Sequence, residues 1–157
     1  MPKPDRIPWD ETVSASVNAR RHLPSVVSAY FAQGRELLAR EPGPAQLHTL
    51  RLATKRLRYT LDLFRSCYGP AFRARMEALR RLQQLLGEVH DCTAASACLI
   101  KVARRKSPQR ARIESFLRRR AQTKTEEFRR EWREVFDAAG RERWWTQYLS
   151  RRVNSSS

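Results

Sequence analysis

Hydrophobic side chains recur every three or four residues along most of this chain, and that spacing predicts amphipathic helices. The clearest run lies between residues 45 and 68, where the apolar positions share one side of a helical wheel. They are Leu50, Ala53, Leu57, Leu61, Phe64 and Tyr68. Two later runs have the same spacing: Leu79, Leu82, Leu86 and Val89, and then Phe128, Trp132, Val135 and Phe136. The pattern therefore predicts several helices that bury one side each.

Proline, glycine and capping residues divide this pattern into separate elements. We predict helices over about residues 13–40, 45–68, 71–87, 92–106 and 107–140, and then a short aromatic helix, RERWWTQYL. Pro24 either kinks the first helix or separates a short leader from it. Gly87 is predicted to end the third helix and Asp91 to cap the fourth. Ser107 and Pro108 are predicted to start the fifth.

Length and composition indicate one folded domain. The chain has 157 residues, of which 41% are hydrophobic and 31% charged, unlike a disordered sequence. It has only 5 glycines, which disfavours a turn-rich β-sandwich. We predict an all-α antiparallel bundle of four to six helices over residues 13–150, between an extended N-terminal arm (1–12) and a flexible tail (151–157).

Positive charge is the strongest compositional signal. The chain carries 32 Lys and Arg against 16 Asp and Glu, a formal net charge of +16. Residues 51–157 hold 26 of the basic groups and 11 of the acidic ones, so the excess lies in the later helices. Of the 32 basic residues, 27 are arginine, whose planar guanidinium makes paired hydrogen bonds to phosphate. A polyanionic partner is predicted, although a GC-rich genome would also enrich arginine.

A basic stripe marks the predicted second helix. His48, Arg51, Lys55 and Arg58, at spacings of three, four and three, fall together on the side opposite its core. Asp62 is the only acid on that side, and like charges four residues apart repel by about 0.2–0.5 kcal/mol per pair. We interpret the stripe as a binding surface, with an ordinary solvated helix face as the alternative.

Further candidate cations lie on the later helices. Arg73 and Arg80, with Arg81 nearby, share a side of the predicted third helix, and Arg112 and Arg119 share a side of the fifth. If these sides and the basic stripe face one another, they form a basic groove, since about 25 helical residues span about 37 Å. A linear polyphosphate-like ligand would fit such a groove.

Motifs for catalysis, metal binding and export are missing from the sequence. Cys67, Cys92 and Cys98 are odd in number and lack CxxC spacing, which disfavours a disulfide framework or a zinc site. The sequence has no P-loop and no HExxH motif, so we expect neither an enzyme nor a cofactor. No apolar run approaches about 18 residues and the N-terminus does not resemble a secretory signal. We expect a cytoplasmic protein with no membrane partner.

Two segments, LHTLRLATKRLRYTLDLF (47–64) and LRRLQQLLGEVHD (79–91), resemble the CHAD family, the conserved histidine α-helical domain. The resemblance implies a helical bundle that binds inorganic polyphosphate through a basic groove and that associates with polyphosphate granules. The positions that match the family's basic motifs are His48, Arg51, Lys55, Arg56, Arg58, Arg80 and Arg81.

The sequence departs from the family pattern in two places. Family domains usually contain two facing four-helix units and this chain has one, so we expect a homodimer with two basic helices across one groove. His90 stands where the family's first unit usually has arginine, and we interpret it as a helix-turn residue. The alternative function is binding of RNA or single-stranded DNA, whose bases would stack on Tyr59, Trp144, Trp145 and Tyr148.

Overall fold

The computed structural model describes residues 7–151, and every regular element in that range is helical. The α-helices are α1 (Ala15–Leu38), α2 (Pro44–Leu63), α3 (Pro70–Val102), α4 (Pro108–Glu131) and α5 (Arg141–Ser150). A short 3₁₀ turn (Arg65–Cys67) follows α2, and a π-helical turn (Trp132–Phe136) follows α4. The helices pack against one another, which confirms the predicted all-α bundle. Most of the predicted N-terminal arm and tail, residues 1–6 and 152–157, lies outside the described residues.

Local sequence explains where several helices begin. Pro44, Pro70 and Pro108 each occupy the first turn of a helix, where the missing N–H costs no hydrogen bond. The Ser107 hydroxyl accepts a hydrogen bond from a backbone N–H of the first turn at 3.1 Å, which confirms the predicted start of α4. Pro24 lies inside α1, which runs through it as one helix.

The predicted break between the third and fourth helices is wrong, because α3 is one helix of 33 residues. Gly87, expected as a helix end, and Asp91, expected as a cap, both lie in its interior. The apolar side of α3 continues across this point through Leu86, Val89 and Cys92, which are all buried. Their burial outweighs the cost of about 1 kcal/mol that an interior glycine imposes on a helix.

The end of α4 also differs from the prediction, because the chain becomes π-helical long before residue 140. The Asp137 N–H donates to the Trp132 carbonyl at 2.7 Å, the i to i+5 bond of a π turn. This wider turn keeps Trp132 and Phe136 in the core, each 2% exposed, but leaves Val135 39% exposed. The assignment of Val135 to the core is therefore wrong.

An aromatic cluster joins α1 to the π turn. The rings of Phe31 and Phe136 stack with centroids 4.6 Å apart, and the Tyr30 ring lies 5.5 Å from that of Trp132. Gly34 lies directly against the Trp132 ring, so closely that a Cβ at position 34 would overlap the indole. Close approach of the two elements therefore requires glycine here.

Arg35 holds the π turn and α5 against α1. Its Nε donates to Asp137 at 2.9 Å, and another of its nitrogens donates to Glu142 at 2.5 Å. The hydrogen bond with Asp137 is the main cause that raises the pKa of Arg35 above its ordinary value. Ser28, two turns earlier on the same face of α1, also donates to Glu142, at 2.6 Å. These contacts connect segments more than 100 residues apart in the chain.

Helix α3 is central to the candidate site because it contacts both α2 and α4. Gln83 and His90 on one side of α3 meet side chains of α2. Arg81 and Glu88 on another side meet side chains of α4. Two separate surfaces for charged groups therefore run along this helix.

Candidate anion-binding groove

The basic stripe lies along the edge where α2 meets α3. Arg58 donates from Nε to Gln83 Oε1 at 2.6 Å, and the rings of His48 and His90 have centroids 5.0 Å apart. These contacts stand about 15 Å apart along α2, so the stripe borders α3 and does not face directly away from the core. We define the α2–α3 groove as this edge, which the basic stripe forms with Gln83, Gly87 and His90.

Arg58 is held in place by three neighbours. Besides its bond to Gln83, it pairs with Asp62 at 2.7 Å, one turn later on α2. Its guanidinium also lies 4.3 Å from the centroid of the Tyr59 ring. The Arg58 side chain is only 17% exposed, so its remaining N–H donors are presented in a defined position.

Arg51 and Lys55 are the uncompensated cations of the groove. Neither forms an ion pair within residues 7–151, although both are partly exposed to solvent. The Lys55 ammonium lies 5.7 Å from the Tyr59 ring centroid, a weak cation–π contact. An anion that enters the groove would therefore meet two positive charges that no described acid offsets.

A cavity of about 320 Å³ lies at the histidine end of the groove. His48 and His90 line it together with apolar side chains that include Leu86 and Val89. The His48 Nδ1 atom is buried and has no hydrogen-bond partner among the described residues. A buried nitrogen without a partner is costly, so this atom is a candidate contact for a ligand oxygen or a water.

Gly87 leaves the α3 side of the groove open. It lies four residues after Gln83 and three before His90, on the side of α3 that meets α2. A Cβ at Gly87 would have no atom within 4 Å. The missing side chain thus provides free space between the two α3 residues that contact the basic stripe.

Arg80 extends the groove toward the end of α2. Its NH2 atom lies 3.9 Å from Asp62, and it also pairs with Glu77 on its own helix. Asp62 therefore lies between two arginines, Arg58 and Arg80. Arg73 lies seven residues before Arg80, on the same side of α3, and is exposed without an ion pair in the described chain.

Two other predicted site residues lie on different surfaces. Arg56 lines a cavity between α1 and α2, together with Tyr30 and Ala53. Arg81 approaches α4, where its NH2 atom is 3.7 Å from Glu127. The structure therefore separates Arg56 from the rest of the basic motif and Arg81 from Arg80.

Ion pairs fill the seam between α3 and α4. The Lys124 ammonium lies 3.2 Å from Glu88 and 3.1 Å from Glu127, and Arg120 lies 3.8 Å from Glu88. The hydrogen bond from Lys124 holds the pKa of Glu88 below its ordinary value, while Glu127 and then Glu88 raise the pKa of Lys124. Because acids and bases offset each other here, the seam attracts an anion less than the α2–α3 groove does.

Arg112 and Arg119 lie on the outer surface of α4. Both are exposed and, by helical spacing, stand opposite the fully buried Phe128. Arg119 lines a shallow depression together with Phe116 and Arg120. The structure does not bring these two arginines to the α2–α3 groove.

The sequence reasoning missed Gln83 and Gly87 as groove residues and assigned His90 to a turn. Their spacing of four and three residues is the signal that places all three on one side of a helix. The predicted helix end at Gly87 hid that signal, because it divided this side between two elements.

A family model for the CHAD domain matches residues 4–100, which is more than half of the chain. The chain belongs to the CHAD family. The CHAD domain is known as a helical domain that binds polyphosphate, and in general it is a non-catalytic binding domain. Comparisons with curated proteins and with solved structures found no match.

The CHAD match covers α1, α2 and nearly all of α3, and so includes the whole α2–α3 groove. Helix α4, with Arg112 and Arg119, lies beyond it. Within residues 7–151, no group of three or more His, Cys, Asp or Glu side chains could hold a metal ion, and the three cysteines are free thiols. None of the helices described there is long and apolar enough to cross a membrane.

Proposed function

We propose that this CHAD protein binds inorganic polyphosphate along the α2–α3 groove and that it does so without catalysis. The contacts would be His48, Arg51, Lys55, Arg58, Arg73 and Arg80. One observation carries the proposal: Arg51 and Lys55, two cations with no acid partner among the described residues, stand between the α3 contacts made by His48 and Arg58. The other predicted contacts lie on other surfaces and are left out of this site: Arg56, Arg81, Arg112 and Arg119.

The chemistry of polyphosphate matches this arrangement. A chain of phosphate groups offers dense negative charge and many acceptor oxygens, which guanidinium forks bind through paired hydrogen bonds. Arg58 is already oriented by Asp62 and Gln83, so less of its side-chain entropy is lost on binding. Release of counterions adds affinity that falls as salt rises. We expect such a protein in the cytoplasm, associated with polyphosphate granules.

Side-by-side binding of long-chain polyphosphate, RNA and single-stranded DNA tests this function. We expect polyphosphate to displace labelled RNA at a much lower total phosphate concentration than RNA needs to displace labelled polyphosphate. The comparison should be repeated over a range of salt concentrations, because net charge alone gives every polyanion some affinity. If RNA displaces polyphosphate more effectively at each salt concentration, the nucleic-acid function is correct instead.

Nucleic acid remains the second candidate because one aromatic ring borders the groove. Tyr59 is 48% exposed and could stack on a base. However, the Arg58 guanidinium and the Lys55 ammonium already lie near that ring. Trp145 is buried, and Trp144 stacks on Tyr148 with centroids 4.7 Å apart. The groove therefore offers many contacts to phosphate groups and few rings on which a base could stack, which favours a ligand without bases.

We also propose that two copies associate across the groove, since a single copy leaves it open on one side. The second copy would place its own basic stripe on the far side of the bound chain. Light scattering of the protein with and without polyphosphate tests this. A uniform monomer that still binds polyphosphate would exclude the dimer while leaving the binding function intact.

His48→Ala should weaken polyphosphate binding by about three- to tenfold. The His48 Nδ1 atom is buried without a hydrogen-bond partner among the described residues, so it is available to a phosphate oxygen, and one such hydrogen bond contributes about 0.5–1.5 kcal/mol. Titration of long-chain polyphosphate at constant pH and ionic strength measures the change.

His22→Ala is the matched control, since His22 lies on α1 and away from the groove. The control should keep the wild-type affinity. If His48→Ala keeps it as well, His48 only supports the structure.

A further inference from the structure

The hairpin formed by the end of α3 and the start of α4 extends beyond the core of the bundle. No residue between 93 and 121 is buried, whereas α3 is buried up to Cys92 and α4 has Phe128 as its buried residue. The Arg110 side chain closes the hairpin by donating to the Ala103 carbonyl at 2.6 Å. We call residues 93–121 the projection.

Hydrophobic side chains on the projection are exposed to solvent. Val102 is 78% exposed, Phe116 is 55% exposed and Ile113 is 47% exposed, and Leu99 is partly exposed. Ile100 is a further exposed side chain, at 53%, so this one hairpin holds four of the eight large hydrophobic residues that are exposed within residues 7–151. Exposed hydrophobic side chains that lie close together in this way are typical of an interaction surface.

Leu99, Val102, Ile113 and Phe116 share one edge of the projection, whereas Ile100 lies on the other edge, beside Glu114 and Leu117. Glu88 of α3 pairs with Arg120 of α4, so those two helix sides face the same edge of the helix pair. By helical spacing, Leu99 and Val102 lie on the Glu88 side of α3, and Ile113 and Phe116 lie on the Arg120 side of α4. They form an apolar stripe that starts about 6 Å from the ion pair and ends about 21 Å from it.

The same projection is strongly basic. It contains nine Lys and Arg residues and one acid, Glu114. That acid is engaged by Arg110 at 2.7 Å. The other basic residues border the apolar stripe on α4 or cluster at the tip of the hairpin: Lys101, Arg104, Arg105, Lys106, Arg112, Arg118, Arg119 and Arg120.

This charge decides which partner covers the apolar stripe. A second projection would bring a second group of cations, most of which have no acid partner in the described chain. The four side chains of the apolar stripe also provide only a few hundred Å², against the roughly 1,200 Å² of a stable protein interface. RNA or polyphosphate would satisfy the cations but would leave the hydrophobic side chains in water. An anionic lipid bilayer satisfies both, because basic groups meet the headgroups and apolar side chains enter the acyl boundary.

We infer that the projection is a peripheral membrane-binding surface, whose apolar stripe inserts into the interface of an anionic bilayer. The expectation of no membrane partner rested on the missing apolar span, and a surface contact of this kind needs none. The site is separate from the α2–α3 groove, so it does not depend on the function proposed there.

Sedimentation with lipid vesicles tests this inference. The vesicles are phosphatidylcholine alone or phosphatidylcholine with about one third phosphatidylserine. The double variant combines Val102→Ser with Phe116→Ser, and the control variant is Leu63→Ser. Leu63 is 79% exposed on α2, outside the projection. We expect wild type and the control to bind the anionic vesicles alike, and the double variant to bind about tenfold more weakly. At high salt, where exposed charges are screened, the ratio of the control's vesicle affinity to that of the double variant should stay the same.

Three results would overturn the inference. If the double variant binds the vesicles as tightly as the control, binding is only the general effect of net charge. Loss of a dimer in light scattering, with vesicle binding unchanged, would make the apolar stripe a contact between two copies. Loss of RNA binding, with vesicle binding unchanged, would make it a nucleic-acid surface. Adding Arg51→Gln and Lys55→Gln to both the control and the double variant should leave unchanged the factor by which Val102→Ser with Phe116→Ser weakens vesicle binding. The test is therefore independent of the α2–α3 groove.

Discussion

Gly34→Ala should lower the free energy of unfolding by about 2 kcal/mol, with a fall in Tm of about 4–8 °C. The added Cβ would overlap the six-membered ring of Trp132. Overpacking of this kind costs about 1–3 kcal/mol, and we expect a cost near the upper end because the indole ring is rigid. Alanine regains about 1 kcal/mol of this through its better helix propensity. Chemical and thermal denaturation followed by circular dichroism measure the change.

The Trp132 ring has little freedom to move away from an added methyl group. It is 2% exposed and is surrounded by the rings of Tyr30, Phe31 and Phe136, with centroids 5.5, 6.2 and 5.0 Å away. Any shift of the indole must therefore displace other core aromatics, because protein interiors are close-packed. The cost falls on the whole contact between α1 and the π turn.

Gly87→Ala is the matched control, and it should have the opposite sign. Gly87 also lies inside a helix, but a Cβ there meets no atom within 4 Å. Removing an interior glycine should stabilise the helix by about 0.5–1 kcal/mol. Equal effects of the two substitutions would show that Gly34 does not need its close contact with Trp132.

Arg51→Gln with Lys55→Gln should weaken polyphosphate binding by about 30- to 100-fold at low salt. Two charge-assisted contacts are lost, each worth about 1 kcal/mol or more in net terms. Because fewer counterions are then released, the slope of log affinity against log salt should also decrease by about 1.5. Titration of long-chain polyphosphate at several salt concentrations measures both quantities.

Arg130→Gln with Arg133→Gln is the control for net charge. Both arginines are exposed and neither has an ion pair in the described chain, so the loss of charge is the same while the groove stays intact. The control should change affinity only slightly. If both double variants have the same affinity and salt slope, the ligand lies somewhere other than the α2–α3 groove.

Arg58 is left unchanged in this test because its removal has structural consequences. Asp62 and Gln83 both bond to it, and Asp62 would be left near Arg80 alone. A loss of affinity in an Arg58 variant would therefore combine a missing contact with a rearranged helix edge.

The basic stripe and the buried sides of the helices could be predicted from sequence because both follow from helical spacing alone. Leu50, Leu57 and Leu61 are buried as expected, and so are the four apolar positions from Leu79 to Val89. These residues form the two sides of α2 and α3 that meet in the bundle. Periodicity is a property of one helix at a time, and here the structure agrees with it.

Relations between helices were harder to predict. Arg80 and Arg81 are neighbours in sequence, yet one reaches α2 and the other α4, because adjacent helical residues diverge by about 100°. A wheel gives these directions but does not say which helix lies on either side. The same limit explains why Arg112 and Arg119 were grouped with a groove that they do not approach.

Special backbone features were the other source of error. Gly87 has the sequence signature of a helix end, but the buried contacts on both sides of it maintain the helix. The π turn has no comparable sequence signal, so Val135 was placed with Trp132 and Phe136 in the core. In both places tertiary packing decided the backbone conformation, as it commonly overrides local propensity.

The uninterrupted course of α3 has a mechanical consequence. At 33 residues it is a rod about 50 Å long, whose first two thirds border the groove and whose last third belongs to the projection. With no hinge between them, the two surfaces cannot reorient independently. Polyphosphate bound along the groove would therefore keep a fixed angle to a bilayer in contact with the projection, and the protein would act as a rigid link between the two.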